Sequence, residues 1–388
     1  MMNHSSLYGR RIHIAASVNS SPEVATVDEI TQARDFVRSL VIALMKEGCT
    51  FVVPVDSEPE RKADGQPVCM DWLIWETLFA NQHQRPPSAP LPLAVAVQHH
   101  KTENQIPEKF AALWDNFKGS ALISIDNASH WDMASKRMEI QAARGDILIT
   151  LGGCEGVLYL ANLYNQAGKP VVPLAFRLCE EHKGSRRLFN LAMSRQSTSQ
   201  FFQTTSQTPH DWINRLAFAS RHDTAHRVER MMDLLRALKR PSAFAVRLLN
   251  NEFPEFIDVE EFFSGVVKHV VEIELGYRLM TIDRKHENEY VRIDEEIFKH
   301  LHHSSVVIAD ITASRPNCFI ELGYALGRSI PTIMTARHGT TNPFDTASIS
   351  GHFWRTDVAL EVRRAEFLEH WKANINRPPL VSQNLLVP

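Results

Sequence analysis

The stretch VVIADITASRPNCFIELGYALGRSIPTI, residues 306–333, decides the fold of the second half of the chain. Its first segment, 306–309, is wholly apolar, which predicts a strand with both faces buried. A helix then opens at Asn317, a good N-cap residue type, and ends near Gly327. The next strand begins at Pro331. A strand, a helix and a further strand in this order predict part of a parallel sheet covered by helices.

Strand and helix patterns alternate in the same way on both sides of this stretch. The second half predicts strands at 243–249, 277–282, 305–311 and 331–336, with helices at 259–273, 293–302, 317–327 and 359–373. The first half predicts strands at 11–16, 49–55, 93–98, 122–125, 146–153 and 169–176, with helices at 31–46, 70–79, 134–144 and 157–166. We therefore predict an α/β protein with two Rossmann-like or flavodoxin-like open parallel-sheet domains in series.

The composition changes between the two series. Residues 194–209, SRQSTSQFFQTTSQTP, are polar and poor in aliphatic side chains, which is typical of a linker or surface loop. An amphipathic helix with a basic face follows at 226–240, and Pro241 ends it. The predicted organisation is a first domain over 1–180, a linker with this helix over 181–241 and a second domain over 242–388.

Composition and charge exclude several classes of protein. The chain has 388 residues, of which 44% are hydrophobic and 22% charged, so general disorder is excluded. A net charge of −3 argues against nucleic-acid binding. No apolar run is long enough for a membrane span or a signal peptide. The five cysteines form no zinc spacing, so we expect a reducing, cytoplasmic compartment and no metal; they are Cys49, Cys69, Cys154, Cys179 and Cys318.

Two carboxylates are candidates for chemistry in the second domain. Asp310 ends the apolar strand, where ligands of open α/β sheets bind, although it could instead cap the following turn. Glu321 lies among apolar residues of the next helix, early enough for the helix dipole to favour its ionised form. Such a carboxylate either faces a cleft as a nucleophile or forms an ion pair with an arginine such as Arg292 or Arg315. Gly323 would let this helix pack closely on the sheet.

Residues 242 to about 357 resemble the nucleoside 2-deoxyribosyltransferase superfamily, including its TIR-like relatives in bacterial defence proteins. The matching segments are IDEEIFKHLHHSSVVIADIT, RPNCFIELGYALGRSIPTI and NPFDTASISGHFWRT. The resemblance implies that Glu321 attacks the anomeric carbon of the sugar and that Asp310 helps to bind or protonate the base. It also implies substrate contacts by Asn317, Tyr324 and Asp345.

One departure from that family concerns the turn after the first strand of the second domain. Members usually have Gly-Pro-Phe or Met-Pro-Phe there, whereas residues 246–251 read VRLLNN. Arg247 in this turn could meet a phosphate, which would favour a nucleotide or dinucleotide over a nucleoside. It could equally be a surface arginine.

A glycine turn is the main candidate site of the first domain. Gly152, Gly153 and Gly156 flank Cys154 and Glu155 between a predicted strand and a predicted helix. Glycines let a ligand approach the backbone, and the N–H groups at a helix start attract an anion. Glu155 would repel a phosphate, so it would rather bond a ribose hydroxyl. Cys154 has no adjacent base and is expected to be a small filler residue.

Together with the loop IAASVNSS, this turn resembles the SLOG superfamily, which includes the lonely-guy phosphoribohydrolases and nucleotide sensors of bacterial immune proteins. The resemblance covers residues 8–180. The hydrolases have Pro-Gly-Gly-x-Gly-Thr followed by a glutamate, whereas Leu151 stands in place of the proline and 157–160 hold no acid. We therefore expect nucleotide binding by the three glycines together with Ser17 and Asn19, and no hydrolysis at this turn.

Together, the two resemblances imply a nucleotide-regulated effector. The first domain would sense a small signal such as a cyclic ADP-ribose-like or cyclic oligonucleotide ligand. The second would cleave an N-glycosidic bond of a nucleoside, a nucleotide or NAD, without a cofactor, in antiviral defence. A homo-oligomer is expected, because ligand binding would act by shifting an assembly equilibrium. The alternatives are a non-catalytic nucleotide-sensing module and a housekeeping nucleoside 2-deoxyribosyltransferase.

Two histidine pairs complete the set of candidate features. They are His99 with His100 and His302 with His303. Neither pair has a converging Asp, Glu or Cys at ligand spacing, so solvated histidines are expected rather than a metal site.

Overall fold

A computed structural model describes residues 5–99, 104–128, 133–218, 222–282, 293–341, 343, 346 and 349–375 of the chain. It divides into two compact units, Met1–Lys239 (unit 1) and Arg240–Pro388 (unit 2). Each unit has its own sheet, and all strand pairs are parallel. The predicted class, two Rossmann-like α/β units in series, is confirmed.

Unit 1 is built on a six-stranded sheet. Its strands are β1 (Arg11–Ser17), β2 (Thr50–Pro54), β3 (Ala94–His99), β4 (Ile123–Ala128), β5 (Ile147–Gly152) and β6 (Val171–Leu174). Its helices are α1 (Val27–Lys46), α2 (Asp71–Asn81), α3 (Glu108–Lys118), α4 (Met133–Arg144), α5 (Glu155–Gln166), α6 (Gly184–Ala192), α7 (Arg195–Phe201), α8 (Pro209–Arg215) and α9 (Thr224–Ala237). The order β4-β3-β2-β1-β5-β6 reverses between β1 and β5, which makes that boundary the topological switch point.

The central strands of unit 1 are buried on both faces, as their apolar runs predict. In β5, Ile147 and Ile149 join the larger apolar cluster, whereas Leu148 between them joins a cluster on the other side of the sheet. Burying each such side chain contributes about 1.5–3 kcal/mol. Helix α1 begins with a capping box, in which the side chains of Thr26 and Glu29 bond to each other's backbone N–H groups.

The segment 181–241, predicted to be a linker with one amphipathic helix, forms four helices, α6–α9, in the described residues, and α9 corresponds to the helix predicted at 226–240. Apolar side chains from these helices lie in the same cluster as the β1 and β5 side chains; they include Phe189, Trp212, Ile213, Met231 and Leu235. The low aliphatic content of 194–209 was misleading because a few large residues at helical spacing suffice to bury one face of a short helix. The basic face of α9 is partly used as well, since Arg236 pairs with Glu47 at 2.5 Å.

Unit 2 is built on a five-stranded sheet. Its strands are β7 (Ser242–Val246), β8 (Arg278–Met280), β9 (Val306–Asp310), β10 (Thr332–Arg337) and β11 (Gly351–Trp354). Its helices are α10 (Phe256–Glu261), α11 (Ile293–His303), α12 (Pro316–Gly327) and α13 (Leu360–Asn374). The order β8-β7-β9-β10-β11 is the flavodoxin-like one and places the switch point between β7 and β9. All five residues of β9 are buried, as the quoted stretch predicts.

The helix predicted at 259–273 is more irregular than its sequence pattern. Helix α10 covers its first turn and continues as π-helical turns over Phe262–Val267 and Val270–Glu274. Its phenylalanine Phe262 stacks on Trp354 of β11, with ring centroids 4.6 Å apart. In the part of the chain that is described, no helix is both long and apolar enough to cross a membrane.

Candidate functional site

The glycine turn of unit 1 lies at the switch point, where β1 and β5 end side by side. Ser17 pairs in register with Gly152, and the Gly153 N–H donates to the Ser17 carbonyl at 3.0 Å. Both glycines have left-handed φ angles, 64° and 75°. A Cβ at Gly152 would lie 2.0 Å from the Ser17 carbonyl oxygen, so a side chain has no room there. The predicted glycine requirement thus has a steric cause.

The start of helix α6 also packs against this turn, so closely that its first residue has no room for a side chain. A Cβ on its first residue, Gly184, would lie 2.1 Å from the Gly153 carbonyl oxygen. Helix α5 starts just after the turn, with Cys154 as N-cap and Glu155 as the first helical residue, and both are exposed. The Val157 N–H donates to the Cys154 carbonyl, whereas the N–H groups of Glu155 and Gly156 have no backbone acceptor among the described residues and could bind an anion such as a phosphate. The exposure of Cys154 contradicts the expectation that it fills a gap.

Asn19, the other predicted ligand residue of unit 1, shapes the loop after β1. Its side-chain oxygen accepts from the Ser21 N–H at 2.8 Å, and its own N–H donates to the Leu178 carbonyl at 2.7 Å. Ser17, Asn19 and Gly153 are all half-buried, and Gly156 lies on α5, where the terminal methyl of Met138 is 3.5 Å from the position of a Cβ. The structure therefore brings the predicted residues of unit 1 together at the carboxyl ends of the central strands β1 and β5.

Two charged residues near these strand ends, Asp71 and Arg137, are not marked by any sequence pattern. Asp71 is the first residue of α2, and burial raises its pKa to about 7. Arg137 of α4 forms an ion pair with Asp56, which follows β2. The sequence shows only an acid at the start of the apolar helix MDWLIWETLF. Its place in the site follows from the position of α2, which starts beside the end of β1.

Asp310, at the end of β9, is sealed inside unit 2. It has no exposed surface, and its carboxylate accepts from the Thr312 N–H at 3.0 Å, the Thr335 hydroxyl at 2.7 Å and the Trp354 indole N–H at 2.9 Å. Burial raises its pKa although these three donors act in the opposite direction. The first donor belongs to the turn after β9, so the structure favours the capping alternative over direct contact with a base.

Glu321 lies in the second turn of α12 and is half-buried. Its carboxylate has neither an ion pair nor a hydrogen bond to any described residue, and Arg315 instead lies over the Phe253 ring at 4.9 Å. Arg292, the other arginine considered, is outside the described residues. Burial raises the pKa of Glu321 to about 7. The dipole expected to keep it ionised is weak there, because that effect fades beyond the first turn of a helix.

The predicted substrate contacts of unit 2 are spread over several places. Asn317 is exposed in the first turn of α12, but the N-cap is Arg315, so the predicted cap is displaced by two residues. Tyr324 points to α11, where its ring meets Phe298 at 5.0 Å. Asp345 lies outside the described residues.

Arg247 is neither a surface arginine nor open to a phosphate in this structure. It is buried, forms an ion pair with Glu260 and lies over the Phe263 ring at 5.5 Å. Gly323 also differs from its prediction, since it is exposed and no atom lies within 4 Å of the position where its Cβ would be. It therefore provides no close approach to the sheet.

A cavity of about 390 Å³ lies at the carboxyl ends of β9 and β10. Its lining includes Ala313, Ser314, Arg337, His338 and Glu255, and neither Glu321 nor Asp310 is part of it. Ala313 and Ser314 have left-handed φ angles of 62° and 48°. Strain of this kind in non-glycine residues is concentrated at functional sites. Sequence patterns did not reveal this cavity because its residues come from separate loops.

Metal-ligating side chains do not cluster in the described part of the chain. No group of three or more His, Cys, Asp or Glu residues there is arranged to hold an ion. His302 lies 3.4 Å from the Tyr324 hydroxyl through Nδ1. His100 is outside the described residues, as are the side chains of His99 and His303.

Comparison with known proteins identifies the first unit. Residues 7–235 match the sequence model described as "ATP nucleosidase Cap17-like, N-terminal". No curated protein sequence matches the chain. One solved structure, the X-ray structure of the structural-genomics target TM1055, is 14% identical, with a TM-score of 0.29, over 47% of this chain and 81% of that one. A likeness that low carries no argument. The family match spans more than half of the chain and nearly all of unit 1, so the protein belongs to the Cap17-like ATP nucleosidase family.

Proposed function

We propose that the chain is a nucleotide-regulated N-glycosidase in which the two units have different roles. Unit 1 binds a nucleotide at the glycine turn between β1 and β5. Unit 2 cleaves the N-glycosidic bond of a nucleotide, with Glu321 as the nucleophile. The family match supports a nucleotide-related activity, and the assignment of cleavage to unit 2 rests on its resemblance to the deoxyribosyltransferases. A role in antiviral defence is part of the same proposal.

The observation that carries this proposal is the state of Glu321. A half-buried carboxylate without an ion pair or hydrogen bond from the described residues is costly to maintain. Proteins keep such groups where chemistry needs them, and perturbed pKa values cluster at functional sites. Its helix starts directly after β9, at the switch point, where ligands of this fold bind.

The reaction proceeds in two balanced steps. The ionised Glu321 attacks the anomeric carbon, the bond from that carbon to the base nitrogen breaks, and its electron pair leaves with the base, which takes up a proton. Water then attacks the resulting sugar ester at the anomeric carbon, releasing the carboxylate and giving the free sugar hydroxyl. With its pKa near 7, Glu321 must lose its proton before the first step, so base release should increase as the pH rises through 7.

In this proposal Asp310 is a positioning residue. Its carboxylate holds the Thr312 backbone, the Thr335 hydroxyl and the Trp354 indole in place below the loop that precedes α12. The loop in turn sets where α12 begins and therefore where Glu321 lies. The proton for the leaving base then comes from solvent or from another group, because Asp310 has no exposed surface.

The direct experiment compares free base released by the wild type, Glu321→Gln and a control, Glu366→Gln, from ATP, NAD and adenosine. Glu366 is an exposed carboxylate of α13 in the same unit. We expect Glu321→Gln to lower base release by about a thousandfold or more while the control keeps it, because a nucleophile acts only in the chemical step. Equal rates in the wild type and Glu321→Gln would refute the assignment.

A second candidate function is a non-catalytic nucleotide-sensing module. The closure of Asp310 and the ion pair of Arg247 with Glu260 favour it, because two of the side chains that were expected to meet substrate are already engaged. Nucleotide binding without base release from any of the three substrates would support this alternative. A housekeeping transferase is distinguished in the same assay, since a second nucleobase would accelerate its turnover.

A further inference from the structure

The start of α2 is held against the end of β1 in unit 1. Ser17 forms an isolated antiparallel bridge with Cys69. On either side of it, the Val18 N–H donates to the Val68 carbonyl at 2.8 Å and the Met70 N–H to the Ala16 carbonyl at 3.2 Å. Three successive backbone contacts leave little freedom here, so the residue that follows Met70 lies beside the switch point.

That residue is Asp71, and helix α4 reaches it from the other side. Arg137 of α4 acts on the Asp71 carboxylate electrostatically, as do Asp56 and Glu58 from the loop after β2. The next residue of α4, Met138, has its terminal methyl 3.5 Å from where a Cβ of Gly156 would lie. Helix α4 therefore bridges the carboxylate of α2 and the glycine turn before α5.

Asp71 differs from the two acids beside it. Asp56 is paired with Arg137 and Glu58 with Lys109. Asp71 is half-buried, and no hydrogen bond or ion pair joins it to any described residue. The Arg137 Nε is also buried without a partner in the described residues. Half-buried polar groups normally have partners, so these two point to a ligand that supplies them.

We propose that Asp71 binds the ribose hydroxyls of a nucleotide whose phosphates lie on the turn formed by Gly152, Gly153 and Gly156. The inference rests on nucleotide binding by unit 1, as proposed above, and adds the residue that recognises the sugar. A half-buried carboxylate such as Asp71 repels a phosphate, whereas the N–H groups at the start of α5 attract one. Sugar hydroxyls are uncharged donors from which a carboxylate accepts hydrogen bonds, and an acid near the second strand of dinucleotide-binding folds binds ribose in this way.

The assignment also accounts for the choice of acid. The carboxylate that follows β2 directly, Asp56, is occupied by Arg137 and so has less capacity for a ligand. Asp71 comes from α2 instead and reaches the same edge through the bridge between Ser17 and Cys69. Glu155 was expected to bond the ribose, but its carboxylate is exposed at the start of α5, so solvent screens its charge from the phosphates placed there.

The test measures binding of ATP and of 2′,3′-dideoxy-ATP to the full chain by calorimetry. The wild type should bind ATP about tenfold more tightly than the dideoxy nucleotide. Asp71→Asn should bind both nucleotides equally, at the weaker affinity. The control Asp115→Asn, at an exposed carboxylate of α3, should keep the wild-type preference. Melting temperatures of all three proteins establish that they are folded.

Several results would overturn the inference. The first is equal binding of the two nucleotides by the wild type. The second is a preference for ATP over the dideoxy nucleotide that survives in Asp71→Asn. The third is a wild type that does not bind ATP. The proposed cleavage by Glu321 is tested separately by base release. Failure of the ribose-binding inference therefore does not imply failure of the proposed cleavage, and the reverse also holds.

Discussion

The two switch points solve the same geometric problem with different residues. In unit 1 the turn after β5 is left-handed at Gly152 and Gly153, and a third glycine of α6 packs on it. In unit 2 the turn after β9 is left-handed at Ala313 and Ser314, below which Asp310 is closed in by three donors. The strand ends at the switch point of unit 1, here called the first edge, present bare backbone. The strand ends at the switch point of unit 2, here called the second edge, are covered by side chains.

This difference indicates which edge suits which task. Bare backbone at a helix start offers N–H groups to an anion, so the first edge suits a nucleotide phosphate. At the second edge the carboxylate of Asp310 already accepts three hydrogen bonds within the protein. The carboxylate that remains available, Glu321, comes from the following helix. A carboxylate at a strand end is therefore not by itself evidence of a reactive group.

The largest effect is expected from adding a methyl group to the first turn. Gly152→Ala should lower the free energy of unfolding of the protein by about 3 kcal/mol, because it combines a left-handed φ with a clash at the Ser17 carbonyl. Gly119→Ala, in the open at the end of α3 and with φ of −87°, should have little effect. Calorimetric unfolding measures both. Similar small losses in the two variants would mean that the first edge does not need bare backbone.

The next effect concerns the closure of the second edge. Trp354→Phe removes one of the donors to the buried Asp310 carboxylate and should cost about 2 kcal/mol of stability. Trp371→Phe shortens another buried tryptophan of the same apolar cluster, whose indole has no carboxylate partner in the described residues, and should cost less. Denaturant unfolding compares them. If Trp354→Phe were the milder change, Asp310 would not depend on this bond.

A pH-dependent effect separates Glu321 from the closed carboxylate. Its folded pKa, about 7, is above the usual 4.5, so burial favours the protonated form. The contribution of this carboxyl group to stability is then greatest below pH 4.5 and is lost as the pH rises from there to about 7. Glu321→Gln should raise stability by on the order of 1 kcal/mol at pH 8, after allowance for solvent screening, and leave it unchanged at pH 4. Melting curves at both values would show it, and no gain at pH 8 would place this carboxylate in water.

The smallest effect tests the strain in the second turn. Ala313→Gly should stabilise the protein by about 0.5–1 kcal/mol, because glycine adopts the left-handed φ of 62° without steric cost. Ala325→Gly, inside α12, should destabilise it by about 1 kcal/mol. Thermal unfolding should show a gain in stability for Ala313→Gly and a loss for Ala325→Gly. A loss in both variants would show that the second turn stores no strain.

The fold could be predicted because it depends on local patterns. Apolar runs such as 306–309 and the glycine that ends a strand are visible in any window of sequence, and both sheets follow from them. The helices at 181–241 could not be recognised as part of unit 1, because their burial depends on contacts with a distant sheet. Composition describes how polar a segment is, and it does not show which few side chains are covered.

The candidate sites were predicted only in part, for a similar reason. The glycine turn and Glu321 stand out because their residue types conflict with ordinary packing. Asp71 and Arg137 do not, since an acid at a helix start and an arginine on a helix are common. Their significance comes from the bridge between Ser17 and Cys69, a contact between residues 52 positions apart that no local pattern reveals.

The N-cap of α5 has a practical consequence for studying unit 1. All five cysteines are unpaired, and Cys154 is the exposed one, at the glycine turn. A maleimide dye should therefore label this thiol first, without any engineered substitution. A nucleotide seated on the turn would shield it, so the labelling rate with and without ATP would report occupancy directly. The chain thus carries a natural probe at the position where its ligand is expected.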